Sequence, residues 1–270
     1  MSGFLAEMER SSRERVHEAQ ATVSLRELEE RLASMPAPVP LSGFGEVFDL
    51  IAEFKPRSPA AGDLPRRDGS SLARAYETGG AGMISVLTEP TRFGGSLENL
   101  SVARASTRVP ILAKDFLVDP YQVHLARSVG ADGVLLIARM LGRDRLSAML
   151  DAVDGTGMFA LVEGFDAADL GVMAEVVVDR PNVLFGINCR DLTTLDVVPQ
   201  RLAELAHLVP DGLIGVAESS IGGADDAAWV AGLGYRAALV GSALMSSDEP
   251  ASLVSAMVRL GREAAGVRAR

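Results

Sequence analysis

Gly133-Val134-Leu135-Leu136-Ile137-Ala138 has no polar side chain at any position. A strand with one wet face alternates apolar and polar residues, so an unbroken run of this length suits a parallel strand covered on both faces. Working outward, similar runs begin near Val47, Met83, Val109, Phe159, Val183, Leu213 and Ala237. With Gly133 they make eight, spaced on average about 27 residues apart, which is room for a strand, a helix and two short loops per unit. Between them, 72–78, 97–105, 121–129, 145–153, 167–177, 201–209, 226–231 and 253–262 show the 3.6-residue apolar period of helices. Asp119 before Pro120, Asp166 and Asp225 read as helix starts, and Gly79-Gly80, Gly130 and Gly232 as helix ends.

Eight such units predict an α/β chain folded as a (β/α)8 TIM barrel over residues 41–270. Residues 1–40 read as an N-terminal helical extension, a charge-rich helix over 5–35 that breaks at Pro36, Pro38 and Pro40. A doubly wound sheet with a dinucleotide site is the rival. Its glycine fingerprint belongs between a strand and the following helix, whereas the near match, Gly232-Leu233-Gly234-Tyr235-Arg236-Ala237, precedes a strand.

Composition narrows the function. The chain is 48% hydrophobic and 23% charged, enough for a full core. A net charge of −10 opposes general attraction to nucleic acid or an anionic membrane, so any anion must be bound locally. No apolar run is long enough to span a bilayer. One cysteine, Cys189, and three scattered histidines give neither a disulfide nor a metal-ligand spacing, which fits a cytoplasmic protein without a metal. Of 26 basic residues, 24 are Arg. The two lysines, Lys55 and Lys114, therefore stand out as positions where an ammonium is required.

Barrel active sites form at the carboxyl ends of the strands. There the sequence places Glu53-Phe54-Lys55, Lys114-Asp115, Glu163, Asn188-Cys189-Arg190 and Glu218-Ser219. Both lysines are in this set. Alternation puts Glu53 and Lys55 on one side of their strand, and likewise Asn188 and Arg190. Glu53 or Asp115 alone would read as half of a structural ion pair, but convergence of charge at one rim is too costly for a merely structural core. Ser219-Ser220-Ile221-Gly222-Gly223 and Val240-Gly241-Ser242 follow the last two strands, where barrels commonly hold phosphate on backbone N–H groups.

Several stretches together resemble the ordered signature of the indole-3-glycerol phosphate synthases. They are Glu53-Phe-Lys55-Pro-Arg-Ser58-Pro59, Ser85-Val-Leu-Thr88-Glu89, Phe93-Gly94-Gly95-Ser96, Leu112-Ala-Lys114-Asp115-Phe116, Leu161-Val-Glu163, Gly186-Ile-Asn188-Cys-Arg190-Asp191-Leu192 and Ala217-Glu218-Ser219. The likeness runs from about Leu41 to Met245. It implies a barrel with an added N-terminal helical segment that converts 1-(2-carboxyphenylamino)-1-deoxyribulose 5-phosphate to indole-3-glycerol phosphate in tryptophan synthesis.

By the same resemblance, Lys114 is the general acid on the ketone oxygen and Glu163 the proton-transfer group of the dehydration. Lys55 pairs with the substrate's anionic groups and shares the acid role. Glu53, Asn188, Arg190, Glu218 and Ser219 orient the ring, the carboxylate and the lysines, with Ser58 and Phe93 among the substrate contacts, and Ser220, Gly241 and Ser242 take the phosphate. The implied partner is a small phosphorylated substrate, without nucleic acid, membrane or cofactor, and the chain is expected as a monomer or weak homodimer.

The sequence departs from the family at Pro56, Ala60, Gly164, Cys189 and Ser220. Ser220 places a Cβ where glycine backbone would approach phosphate. These departures are expected to reshape the site around an intact proton-transfer set, and they keep open a paralogue acting on a modified anthranilate-derived substrate, or a catalytically silent partner protein. A different sugar-phosphate barrel, such as the isomerase acting on phosphoribosylanthranilate, would share the phosphate loops but not the mouth of two lysines and two glutamates.

Overall fold

A computed structural model describes residues 3–58, 62–191 and 196–268. Eight parallel strands close into a barrel: β1 (Asp49–Phe54), β2 (Met83–Leu87), β3 (Ile111–Lys114), β4 (Gly133–Ile137), β5 (Phe159–Gly164), β6 (Val183–Asn188), β7 (Ile214–Glu218) and β8 (Ala237–Val240). Each pairs with its sequence neighbour, and β1 closes the ring on β8 through Ala52↔Val240. The expected strands all form, displaced by at most two residues at their starts.

Two apolar clusters follow from the two-residue period of a strand. Ile51, Met83, Leu112, Leu135, Phe159, Leu161, Leu184, Val216, Ala237 and Leu239 fill the barrel interior. Leu50, Ala52, Ile84, Val86, Ile111, Ala113, Val134, Leu136, Ala160, Val162, Phe185 and Ile187 alternate with them and pack outward under the helices. Continuing the inner series to the strand ends reaches Glu53, Lys114, Glu163, Asn188, Glu218 and Gly241. One alternation therefore makes the core and aims the polar residues into the mouth.

The outer helices are Gly69–Thr78, Leu97–Arg104, Pro120–Ser128, Ala138–Thr156, Ala167–Val176, Gln200–Leu205, Ala224–Leu233 and Pro250–Arg268, with a short helix Ser242–Ser246 after β8. Asp119 and Asp166 cap their helices as expected, Asp119 in a reciprocal box with Gln122. Three boundary expectations are corrected. Asp225 lies inside the first turn of Ala224–Leu233, and its neighbour Asp226 does the capping, accepting from the backbone N–H of Gly222 and Gly223. Gly232 lies within the same helix, which ends at Gly234, where φ +107 suits glycine. The helix expected over 145–153 begins earlier, at Ala138, and kinks at Gly142.

The single N-terminal helix expected over 5–35 is two: α1 (Gly3–Thr22) and α2 (Leu25–Leu32). Ser24 separates them because its hydroxyl and the Glu27 carboxylate cap each other's backbone N–H, which starts a new helix. α1 buries Leu5 and Met8 in the inner apolar cluster. Its polar side is tied down by Arg15 to Asp115, Glu9 to Arg145, Glu7 to Arg92, and a Gln122 to Ser12 hydrogen bond of 2.9 Å. No helix among the described residues is long and apolar enough to cross a membrane.

Candidate active site

Above the inner apolar layers lies a cavity of about 480 Å³. Its charged wall is made by Glu53, Lys55, Lys114, Glu163, Arg190 and Glu218, from five different strand ends. Asn188, Ser219, Ser220, Gly241 and Ser242 complete the polar side, and Phe93 stands on the apolar side. All the candidate catalytic and substrate-binding residues whose side chains are described line this one space. The backbone of Ser58 lies beyond β1, paired with Gly62. The departure at Ala60 and the motif residue Leu192 lie outside the described residues.

Glu53 is the hub. Its Oε2 is 2.8 Å from Lys55 Nζ and its Oε1 3.4 Å from Lys114 Nζ. Burial acts to raise the Glu53 carboxyl, but the two ammonium groups outweigh it and hold the group down at about 2. Burial likewise acts to lower Lys114, and Glu53, Glu218 and Glu163 reverse that, keeping it charged above the usual lysine range. Glu218 lies 3.8 Å from Lys114 and is under-compensated. Burial first, then the charge of Glu163, push it well above the carboxylate range against the pull of Lys114. Both Glu218 oxygens and Oε2 of Glu163 are buried without a hydrogen-bond partner, so the site holds acceptor capacity that the protein leaves for something else.

Asp115, next to Lys114 but of opposite parity, is the structural ion pair its residue type suggested. It takes both Arg15 nitrogens at 2.8 Å and the Thr88 hydroxyl at 2.9 Å. On the opposite side, Ser219 Oγ donates to Asn188 Oδ1 at 2.9 Å, and the same oxygen accepts from the Arg190 N–H. Among the described residues, no group of three or more His, Cys, Asp or Glu is placed to hold a metal ion.

Sequence reasoning named Phe93 but missed the rest of the aromatic side of the cavity, Phe4 and Phe116. Phe4 of α1 meets Phe116 edge-on at 5.8 Å, and Phe116 meets Phe93 at 5.9 Å. Phe4 is over a hundred residues from Phe116, and its only sequence signal is an aromatic residue at the start of an amphipathic helix. Leu135, Ile137 and Leu239 floor this side. A flat aromatic group fits against these rings while anionic groups reach the lysines and Arg190.

The indole-3-glycerol phosphate synthase family model matches residues 5–257. The chain belongs to this family. The indole-3-glycerol phosphate synthase of Mycobacterium ulcerans (strain Agy99) is 42% identical over 249 residues, covering 90% of this chain and 89% of the relative. That of Mycobacterium tuberculosis (strain CDC 1551 / Oshkosh) is 41% identical over 249 residues with the same coverage. Among solved structures, 3-hexulose-6-phosphate synthase from Salmonella typhimurium aligns with a TM-score of 0.65 at 14% identity, over 80% of this chain and all of that one. At that identity the likeness shows the barrel alone.

Against the family pattern, the departures do not all touch the cavity, which corrects the expectation that they jointly reshape it. Gly164 and Cys189 have outer parity. A Cβ on Gly164 would stand 2.6 Å from Met173 Sδ and 2.9 Å from Leu170, so glycine there is a close approach to the helix Ala167–Val176. Cys189 packs in the outer core, where burial pushes its thiol up to about 11. Pro56 shapes the loop after β1, its carbonyl accepting from Leu64. Among the departures at described residues, Ser220 is the one on the cavity wall. Both Ser219 and Ser220 hold left-handed backbone, φ +69 and +63, a conformation suited to glycine and strained for serine. The sequence reading of Gly222-Gly223 as phosphate donors is also corrected, because Asp226 already occupies those N–H groups.

Proposed function

We propose that the protein closes and decarboxylates 1-(2-carboxyphenylamino)-1-deoxyribulose 5-phosphate to indole-3-glycerol phosphate, the activity after which its family is named. The observation that carries this reading is the placement of both lysines of the chain, with Glu163, in one cavity opposite an aromatic wall.

The substrate's aryl ring lies against Phe4, Phe116 and Phe93. Its carboxylate and phosphate are met by Lys55 and Arg190, and the phosphate rests on the loops carrying Ser220, Gly241 and Ser242. Ser242 opens the helix Ser242–Ser246, whose first N–H groups have no intrahelical partner. Lys114 protonates the ketone oxygen as the carboxyl-bearing aryl carbon attacks, a role worth roughly 10²–10⁴-fold. Carbon dioxide then leaves as the ring regains aromaticity, and Glu163 serves the proton transfer of the dehydration. Glu53 holds both lysines in place, and Ser219 with Asn188 fixes the wall beside Glu218. No metal or organic cofactor enters this sequence.

Gly164 and Cys189 face the helices, which removes their support for an altered substrate. The lysines and Glu163 face the cavity, which does not favour a silent partner. Adding the arylamino-deoxyribulose phosphate to purified protein and following indole fluorescence tests the reading. A panel of ring-substituted substrates in the same assay separates the standard substrate from a modified one.

A further inference from the structure

We infer that Glu218 enters the reaction protonated and, with Glu163, forms a two-carboxyl unit that gives a proton to the departing hydroxyl and then takes one from the neighbouring carbon. This inference rests on the proposed reaction and assigns it a second proton source.

Three strands set the geometry. Glu163 on β5 is in register with Gly186 on β6, and Gly186 with Val216 on β7, two residues before Glu218. A Cβ on Gly186 would lie 2.4 Å from Glu218 Oε1, so the Glu218 carboxyl reaches back across the glycine between the two strands. Any side chain at 186 would fill the gap that lets it do so.

The surrounding charges leave this pair short of cations. Glu53 and Lys55 from β1, Lys114 from β3 and Arg190 beyond β6 share the cavity with Glu163 and Glu218. Cys189 lies behind them on the outer parity. Lys55 is taken by Glu53 at 2.8 Å, and Lys114 is nearer to Glu53 than to Glu218. Both Glu218 oxygens and one of Glu163 lack a hydrogen-bond partner, and two buried carboxyls that interact cannot both stay ionised cheaply, so a proton on one of them is the economical arrangement. The direction of the shift at Glu218 agrees.

Counting protons shows what such a proton is for. Ring closure forms the bond from aryl carbon to ketone carbon, and the carbonyl electron pair goes to oxygen, which Lys114 protonates. Decarboxylation breaks the ring-carbon to carboxyl bond and returns that pair to the ring. Dehydration breaks the carbon–oxygen bond; the oxygen leaves with its pair and needs a second proton, while the adjacent methylene gives one up as the indole double bond forms. Two protons are delivered and one is recovered. The unit of Glu163 and Glu218 delivers the second, then, as a carboxylate, receives the carbon proton and ends as it began. Lys114 regains its proton from solvent, which balances the loss of the carboxylate as neutral carbon dioxide.

Single turnover with carbon dioxide and indole measured separately tests this. In Glu218→Gln, carbon dioxide release should stay within a few-fold of wild type while indole formation falls roughly 10²-fold, with a decarboxylated hydroxy intermediate accumulating. Equal slowing of both products, or of neither, overturns the inference. Infrared spectra of ligand-free wild type labelled with ¹³C-glutamate should show the carbonyl stretch of a neutral carboxylic acid at neutral pH, and its absence overturns the inference even if the variant fails to fold. A wild type that releases no carbon dioxide from the substrate would instead overturn the proposed function.

Discussion

The carboxylate of Glu53 is seated directly on the backbone of Gly241, so that a Cβ built at 241 would lie 2.0 Å from Glu53 Oε2 and 3.0 Å from Lys55 Nζ. Glycine at this position is therefore required by the ion-pair hub, whatever it also does for phosphate. Gly241→Ala should displace Glu53 and with it both lysines. Turnover is expected to fall roughly 10²-fold, as for loss of a positioned acid, with a smaller loss of thermal stability. Unchanged kcat and KM in the purified variant would show that the hub tolerates the displacement.

Lys114→Met keeps the stem length and removes the ammonium. With the acid gone, kcat should drop by at least roughly 10²-fold, on the order of 3 kcal/mol of transition-state stabilisation. Steady-state kinetics on a variant with wild-type circular dichroism checks this, and retained turnover would move the acid role to Lys55.

Glu53 and Glu218 bias stability in opposite directions with pH. Glu53 is lowered from 4.5 to about 2 in the folded protein, so its contribution is full above about pH 4.5 and is lost as pH falls toward 2. Glu53→Gln should cost on the order of 3 kcal/mol at neutral pH, a difference that shrinks to nothing in strong acid. Glu218 is raised, so it weighs against the folded state once pH exceeds the unfolded value of 4.5. Glu218→Gln should raise Tm by a few degrees at neutral pH, with the gain fading below about pH 4.5. Melting curves between pH 3 and 8 measure both, and a gain for Glu53→Gln would contradict the assignment.

Arg15 ties α1 to the residue beside the acid. Its pair with Asp115 is mostly buried and bidentate, and Asp115 also fixes the Thr88 hydroxyl. Arg15→Met should destabilise the protein by about 2–3 kcal/mol, the lower end for a buried pair because Arg15 is a quarter exposed. Since the same helix carries Phe4, KM should rise along with the loss of stability. Denaturant unfolding and kinetics on one preparation test the two together.

Ser220 holds φ +63 on the cavity wall. Ser220→Gly should relieve backbone strain and stabilise the fold by roughly 1 kcal/mol, and should tighten inorganic phosphate and the product as measured by calorimetry. Weaker binding in the variant would mean instead that the serine hydroxyl donates to the phosphate, a bond to a charged group worth about 1.5–3 kcal/mol.

The sequence by itself determined the barrel and the direction of most of its functional side chains. Eight apolar runs at nearly constant spacing admit few other closed arrangements, and the two-residue period fixes which strand-end residues turn inward. The same period, applied to Gly164 and Cys189, places them on the outer face without any structure. Only the tertiary structure decided relations between residues that no local rule connects. Phe4 closes the aromatic wall because α1 docks across the barrel mouth. Asp226 takes N–H groups that looked available to phosphate, because capping competes locally with ligand binding. Glu218 meets Glu163 across Gly186 because strand stagger brings residues from β5 and β7 over a single glycine of β6. Period and composition act along the chain, whereas charge balance depends on distances in the folded protein.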